Sequence, residues 1–288
     1  MLNIIVNPNA CRGKNKGLLQ AVKDRLEQEG VPFAVYETHG TGDGREIART
    51  LSLAGETLLI AMGGDGTLNE VLCGIVEPEK VTLGLIPAGT GNDFAAAANI
   101  PEGLAALDLI LNGEAKYTDY LECNDGMRSI NIAGLGIDVD ILERCERMKG
   151  SDKSKYFRAL LRSLISFRAL KITITADGKT EEHRALLAAA CNGVQFGGGI
   201  KICPPAVIDD GKMDLIVIDC PGRIKLPYYL VKLKKGKVLS LSPAHRILCE
   251  EAVIEPERKG RAQYDGELKG ADALTAKIVH AKLKMFRG

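Results

Sequence analysis

The chain has 288 residues, 45% hydrophobic and 26% charged, a length that builds one large domain or two ordinary ones with a sizeable core. Its net charge of +1 hides an acidic front and a basic back: residues 1–120 hold 9 Lys+Arg against 16 Asp+Glu, and residues 121–288 hold 29 against 21. No stretch approaches the ~20 apolar residues that cross a bilayer, and no pair of the eight cysteines has CxxC spacing, so neither a membrane span nor a zinc site is expected.

LNIIV (2–6) reads as a buried strand, and the opening MLNIIVNPNA lacks the basic n-region of a signal peptide. The chain therefore reads as a reduced, cytoplasmic protein whose cysteines are mostly small core residues. LLQAVKDRLEQEG (18–30) has a helical period closed by Gly30, FAVYET (33–38) is strand-like, and REIARTLSLAG (45–55) is a helix ending at Gly55. TLLIAMGG (57–64) is a strand. Leu68, Val71, Leu72, Ile75 and Val76 then mark one helix face, with Thr67 as N-cap and Glu70 completing a capping box. VTLGLIP (81–87) is a strand and NDFAAAANI a short helix. Alternating β and α implies a mostly parallel sheet covered on both faces.

The back half changes character. INIAGLGIDVDI, KITITADGKTEEHRALLAAACNGV, KMDLIVIDC, HRILCEEAVIEPE, RAQYDGEL and TAKIVHAKLKM read as strands, with a hairpin at DGK (177–179). This pattern fits an antiparallel sandwich or barrel with one or two helices. The boundary falls near 113–125, so the expected domains are 1–122, an α/β nucleotide-binding domain, and 123–288, a β-sandwich substrate domain. The last strand is allowed to return to the first domain.

Residues 61–71 read AMGGDGTLNEV: strand, glycine-rich loop, helix start. Backbone N–H groups at such a place point outward, the helix dipole adds positive charge, and glycine lets a ligand approach. An ordinary βα turn is the competing reading; GxxxxGK[ST] and GxGxxG are both absent. LGLIPAGTGNDFA (83–95) repeats the pattern, and VNPNACRGK (6–14) and ETHGTGDG (37–44) are also polar, small-residue loops after strands. Such loops would face one crevice at the carboxyl edge of the sheet, where open α/β folds bind ligands.

NPNACRGK, GGDGTLNEV, PAGTGNDFA, DDGKMD and YDGE together resemble the diacylglycerol kinase catalytic-domain family, and within it the bacterial soluble lipid kinases. The resemblance covers nearly the whole chain; GGDG alone is shared with NAD kinases and phosphofructokinases. It implies a Rossmann-like α/β domain plus an all-β sandwich-like domain, with ATP and Mg²⁺ as cofactors. It places Asn7, Pro8, Thr38, Gly63, Gly64, Asp65, Gly66, Thr67, Leu68, Asn69, Glu70, Thr90 and Asn92 around the nucleotide. It makes IDDGK a structural Mg²⁺ loop, with the Asp210 carboxylate and the Val207 and Lys212 carbonyls as ligands. It makes Asp265 and Glu267 the catalytic acids, alongside Asp65. Cys11 stands where the family's first loop carries a glycine.

Phosphoryl transfer needs positioning, a divalent cation and a base near the acceptor hydroxyl. Asp65, with Asp93 or Asp119, offers hard oxygens for Mg²⁺. Asp265 is favoured as base with Glu267 as partner, although the residues alone do not separate the two; a plain hairpin turn competes at DG, as it does at DDGK. From Arg144 to Lys171 nine cations face two acids, and 223–237 adds six cations and no acid. With an apolar face at Leu160, Leu161, Leu164 and Ile165, the first segment fits docking on anionic membrane, or a helix packed with its basic side solvated. The acidic front half and few aromatics argue against nucleic acid. The expectation is thus a lipid kinase at the inner membrane face, acting on diacylglycerol or a related lipid, with a homodimer left open. The alternatives are an NAD kinase or a non-catalytic nucleotide-sensing regulator on the same scaffold.

Overall fold

The computed structural model describes residues 1–8, 15–148 and 153–288. Residues 9–14, with Cys11 and most of the first loop, lie outside the described residues, as does Lys149 of the basic segment. Two units form: Met1–Tyr120 with Ile208–Asp210 and Val279–Gly288, and Leu121–Val207 with Gly211–Ile278.

In the first unit the chain runs β1 (Leu2–Val6), α1 (Asn15–Gln28), β2 (Phe33–Glu37), α2 (Asp43–Leu53), β3 (Leu58–Gly63), α3 (Asp65–Gly74), β4 (Thr82–Pro87), α4 (Asp93–Ala97) and α5 (Leu104–Asn112). β1 pairs in parallel with β2 on one side and β3 on the other, β3 pairs with β4, and Lys284 and Met285 add in parallel to β4 at Thr82 and Leu83. β1 is buried along its whole length, and β3 and β4 after their first residue. That is why they read as continuous apolar runs: a parallel strand covered on both faces has no solvent side to alternate with. α2 and α3 pack at Gly74, where a Cβ would lie 2.2 Å from the Arg45 carbonyl oxygen.

The expected capping box is absent. α3 begins at Asp65 with Gly64 as N-cap, three residues earlier than expected, so Thr67 is already inside the helix and no side chain caps Gly64. The turn out of β3 is this abrupt because Gly63 has no side chain; a Cβ there would lie 2.3 Å from Thr67 Oγ1. Glu70 caps a different helix. Its carboxylate accepts from the Gly42 and Gly44 N–H groups at 2.9 and 3.0 Å, at the start of α2.

β5 (Ala115–Cys123) carries the chain into the second unit, followed by β6 (Arg128–Ser129), β7 (Ile132–Gly136), α6 (Ile137–Arg147), α7 (Lys153–Ser166), β8 (Leu170–Ala176), β9 (Lys179–Cys191), β10 (Met213–Asp219), α8 (Leu226–Lys234), β11 (Ala244–Cys249), β12 (Glu251–Pro256), β13 (Gly260–Tyr264), β14 (Glu267–Ala271) and β15 (Leu274–Phe286). The pairing among β7–β14 is antiparallel, as is that of Leu274–Lys277 with β12. β9 pairs with β8 through Lys179–Ala185 and with β7 and β10 through its later residues, so one long strand serves both parts of the sandwich.

Three expectations change here. INIAGLGIDVDI is half strand and half helix, because Gly136 takes φ 130° against the Leu186 carbonyl and the chain turns into α6. This raises the helix number to three among the described residues, α6, α7 and α8. HRILCEEAVIEPE is two strands, since Asp177 Oδ1 accepts from the Glu250 and Glu251 N–H groups at 3.0 and 3.1 Å and ends the first ladder there. RAQYDGEL is a hairpin with Asp265 and Gly266 both at positive φ, as Asp177 and Gly178 are in the expected DGK turn. Among the described residues no helix is long and apolar enough to cross a membrane.

Gly74→Ala forces α2 and α3 apart and should cost about 1–3 kcal/mol of stability. Urea unfolding of the variant against wild type measures this; an unchanged midpoint would contradict the close contact.

Candidate functional site

In the first unit the strand order reverses direction between β1 and β3, the point at which open α/β sheets leave a crevice beyond their carboxyl ends. A groove of about 490 Å³ lies there, within the size range of small-molecule sites. Asn7, Thr38, Gly64, Gly66, Thr67, Glu70 and Thr90 line it, all named from sequence. His39, Gly40, Thr41 and Gly89 line it too and were not named; the small-residue run ETHGTGDG was the signal for three of them.

The groove is held together by glycine contacts and caps. Gly64 and Gly89 meet backbone to backbone, and a Cβ on Gly89 would fall 2.3 Å from Gly64 Cα. Asn92, at φ 53° and ψ 42°, accepts from Gly89 N–H at 2.9 Å and donates to its carbonyl at 3.2 Å. Asp65 Oδ1 accepts from the Phe94 N–H at 3.1 Å, tying the β3 loop to the start of α4. Gly66 is different, because a Cβ there meets nothing within 4 Å and opens onto free space beside the helix start. The first-turn N–H groups of α3 have no partner within their own helix, so this end suits an anion. Gly63, Leu68 and Asn69 are buried behind the groove wall, and Pro8 is buried as well. Asp119 is fully buried and accepts from Ala281 N–H at 3.2 Å, with His280 Nδ1 at 2.9 Å, which makes it an anchor for the end of β15.

In the second unit Asp265 sits at the corner of the β13–β14 turn. Its Oδ1 accepts from Ser129 Oγ at 2.6 Å and from the Asn131 and Ile132 N–H groups at 3.0 and 2.9 Å, and its Oδ2 accepts from Ile130 N–H at 2.8 Å. Four donors on one carboxylate make it a clamp on residues 129–132. Glu267, two residues on, pairs with Lys269 Nζ at 2.6 Å. Elsewhere, Asp210 and Val207 are exposed, Lys212 pairs with Glu250 at 2.6 Å, and Asp209 is the acid that holds Arg287.

Asp138, which the sequence reading passed over, is 3% exposed at the start of α6. Neither of its carboxyl oxygens completes a hydrogen bond. Burial pushes this carboxyl up to about 7, and the neighbouring Val139 N–H and Gln263 side chain offset that only in part. It lies on the wall of an apolar cavity of about 40 Å³ shared with Leu160 and Leu164 of α7 and Tyr229 and Leu233 of α8. α7 divides its expected apolar face: Leu164 is buried, whereas Leu161 is 43% and Ile165 75% exposed.

Residues 1–123 match the family model described as "Diacylglycerol kinase catalytic domain", and residues 131–287 match "YegS C-terminal NAD kinase beta sandwich-like domain". A "Diacylglycerol kinase" of Bacillus subtilis (strain 168) is 35% identical over 274 residues, 93% of this chain and 89% of that protein. The crystal structure of a diacylglycerol kinase from Bacillus anthracis str. Sterne superposes with a TM-score of 0.80 at 24% identity, covering 100% of this chain and 96% of that one. An NAD kinase from Archaeoglobus fulgidus, solved in complex with ATP, has a TM-score of 0.55 at 13% identity, covering 100% and 94%. The two structural likenesses show a common fold: an α/β domain followed by a β sandwich.

Because burial raises Asp138, the folded protein holds this proton more tightly than the unfolded chain. The group therefore costs stability progressively as pH rises from about 4 to 7, and the full cost remains above 7. Asp138→Asn should gain on wild type by up to a few kcal/mol more at about pH 8 than at about pH 4. Denaturant unfolding at both pH values reads the difference, and an equal effect at both would refute it.

Proposed function

Because the chain belongs to the diacylglycerol kinase catalytic-domain family, we propose that it is an ATP- and Mg²⁺-dependent lipid kinase that phosphorylates a hydroxyl of diacylglycerol or a related lipid. The observation that carries this reading is the groove beyond β1 and β3, with a helix start and open space beside Gly66 in its wall. The nucleotide phosphates would lie against the first turn of α3, where N–H groups and the helix dipole favour negative charge. Asn7, Thr38, Thr67 and Thr90 would orient them. Asp65 would hold Mg²⁺, which neutralises charge developing on the transferred phosphoryl group. Asp210, with the carbonyls of Val207 and Lys212, would hold a second, structural Mg²⁺; oxygen donors of this kind suit that ion.

The clamp geometry supports a different division of the acid roles. A carboxylate that already accepts four hydrogen bonds has little capacity left for a fifth proton donor. Asp265 is thus proposed to position the acceptor strand loop, and Glu267 to take the hydroxyl proton. The lipid would be met by α7 and α8, whose exposed Ile165, Tyr228 and Val231 share their helices with cations such as Arg158 and Lys232. Each cation near an anionic membrane surface contributes about 1 kcal/mol. The apolar cavity lined by Leu160, Leu164, Tyr229 and Leu233 of these helices would receive the acyl chain by widening.

Labelled ATP offered with diacylglycerol, phosphatidylglycerol, a sphingoid base, ceramide and NAD should give Mg²⁺-dependent transfer to a lipid. Transfer to NAD alone, or to nothing, overturns the reading. Glu267→Gln should lower kcat about 10²–10⁴-fold while melting as wild type does. Asp265→Asn should lose activity and also about 2–3 kcal/mol of stability, because an amide faces the N–H donors. A fully stable Asp265→Asn protein would return the base role to Asp265. Vesicle co-sedimentation should increase with anionic lipid and decrease with salt; indifference to both sinks the docking proposal.

A further inference from the structure

Three side chains of the second unit meet where strands end and begin. His183 lies in β9, Asp219 closes β10 and His245 is the second residue of β11. His183 Nδ1 is 3.2 Å from Asp219 Oδ1, and His245 Nε2 is 3.0 Å from Asp219 Oδ2. The two imidazole rings are 5.2 Å apart at 55°. One ligand atom from each residue lies within 4.8 Å of the others, the one such grouping of histidine, cysteine and acidic side chains among the described residues. A β-bulge sets this up: the β9–β10 register shifts between Ile218 and Asp219, and the Asp219 N–H turns to the Pro243 carbonyl at 2.7 Å.

A plain hydrogen-bonded trio leaves one feature unexplained. The His183 side chain is 8% exposed, and its Nε2 is buried without a hydrogen bond, 3.5 Å from Glu181 Oε2. A buried polar nitrogen left in that state has lost its hydrogen bond to water without replacing it, which is unfavourable. If Nδ1 instead coordinates a cation, Nε2 must carry the proton, and a carboxylate beside it is the usual outer partner of a ligating imidazole. The two imidazole–carboxylate distances, 3.2 and 3.0 Å, fall just short of the roughly 3.3–3.5 Å between ligand atoms of a tetrahedral Zn²⁺, so a cation needs only a small opening of these contacts. Access agrees as well: the Asp219 and His245 side chains are 33% and 42% exposed, leaving a solvent side for a cation to enter and a water to complete its shell.

We propose that His183, Asp219 and His245 bind a transition-metal cation of the Zn²⁺ class through two imidazoles and one carboxylate, with Glu181 orienting His183. Two imidazoles and a carboxylate suit Zn²⁺ better than Mg²⁺, which prefers oxygen alone. The site sits at a neck. Asp219 and His245 bracket residues 220–244, the excursion that carries exposed Ile224 and, after it, α8, so a bound cation ties both ends of that excursion to β9. This proposal does not rest on the kinase reading, since its test reads metal rather than turnover.

The whole chain, stripped with chelator, is titrated with Zn²⁺ against a chromogenic zinc indicator and separately with Co²⁺. One equivalent should bind, with visible d–d bands of a nitrogen–oxygen site and without the near-ultraviolet thiolate bands of a cysteine site. Asp219→Asn and His245→Gln should each lose that equivalent while melting in chelator as wild type does, and Glu181→Gln should weaken it about 10–100-fold. Wild type that binds no equivalent, a thiolate band, or an equivalent retained by both ligand variants overturns the site.

Discussion

The backbones of Gly64 and Gly89 touch, and the shape of the first unit's groove depends on that contact. With a Cβ on Gly89 only 2.3 Å from Gly64 Cα, a single methyl would separate the β3 and β4 loops. The surrounding polar groups reinforce this contact. Asn92 grips Gly89 from both sides, Asp65 reaches across to α4, and Glu70 ties α3 to the start of α2. These contacts hold the loops after β3 and β4 and the start of α2 without a ligand, which lowers the ordering entropy that binding there would otherwise meet.

Carboxylates do much of this ordering. Glu70 caps a helix, Asp177 ends a strand ladder, Asp119 anchors β15, and Asp265 gathers four donors. Each accepts from backbone N–H groups, and all of these contacts except those of Asp177 are at least partly buried. A side chain spent in this way is a poor reagent. That competition explains why acids in glycine-rich loops look alike in sequence and differ in what their lone pairs are free to do.

Much of the fold was legible because it rests on local chemistry. The apolar runs 2–6, 58–63 and 82–87, helices ending within two residues of Gly30 and Gly55, and the Asp–Gly hairpin at 177–178 follow from burial and turn preference alone. Seven groove residues were legible for the same reason: small polar residues after strands collect at one sheet edge. What stayed hidden rests on distant partners. Glu70 looked like a cap for its own helix because Gly42 and Gly44 are 28 and 26 residues away in the chain. Asp138 looked like a strand residue because the turn at Gly136 depends on the Leu186 carbonyl. His183, Asp219 and His245 carry no spacing signal, since 36 and 26 residues separate them.

Asp–Gly sequences age. The glycine nitrogen attacks the aspartyl carboxyl and expels water, another water reopens the ring, and an isoaspartyl link remains. That reaction needs a carboxylate and a following N–H that can reach one another. At the β13–β14 turn neither is loose: four donors hold the Asp265 carboxylate, and the Gly266 N–H donates to Gln263 Oε1 at 2.9 Å. The clamp that shapes residues 129–132 therefore also protects the turn chemically, slowing this rearrangement in the folded protein relative to the unfolded chain.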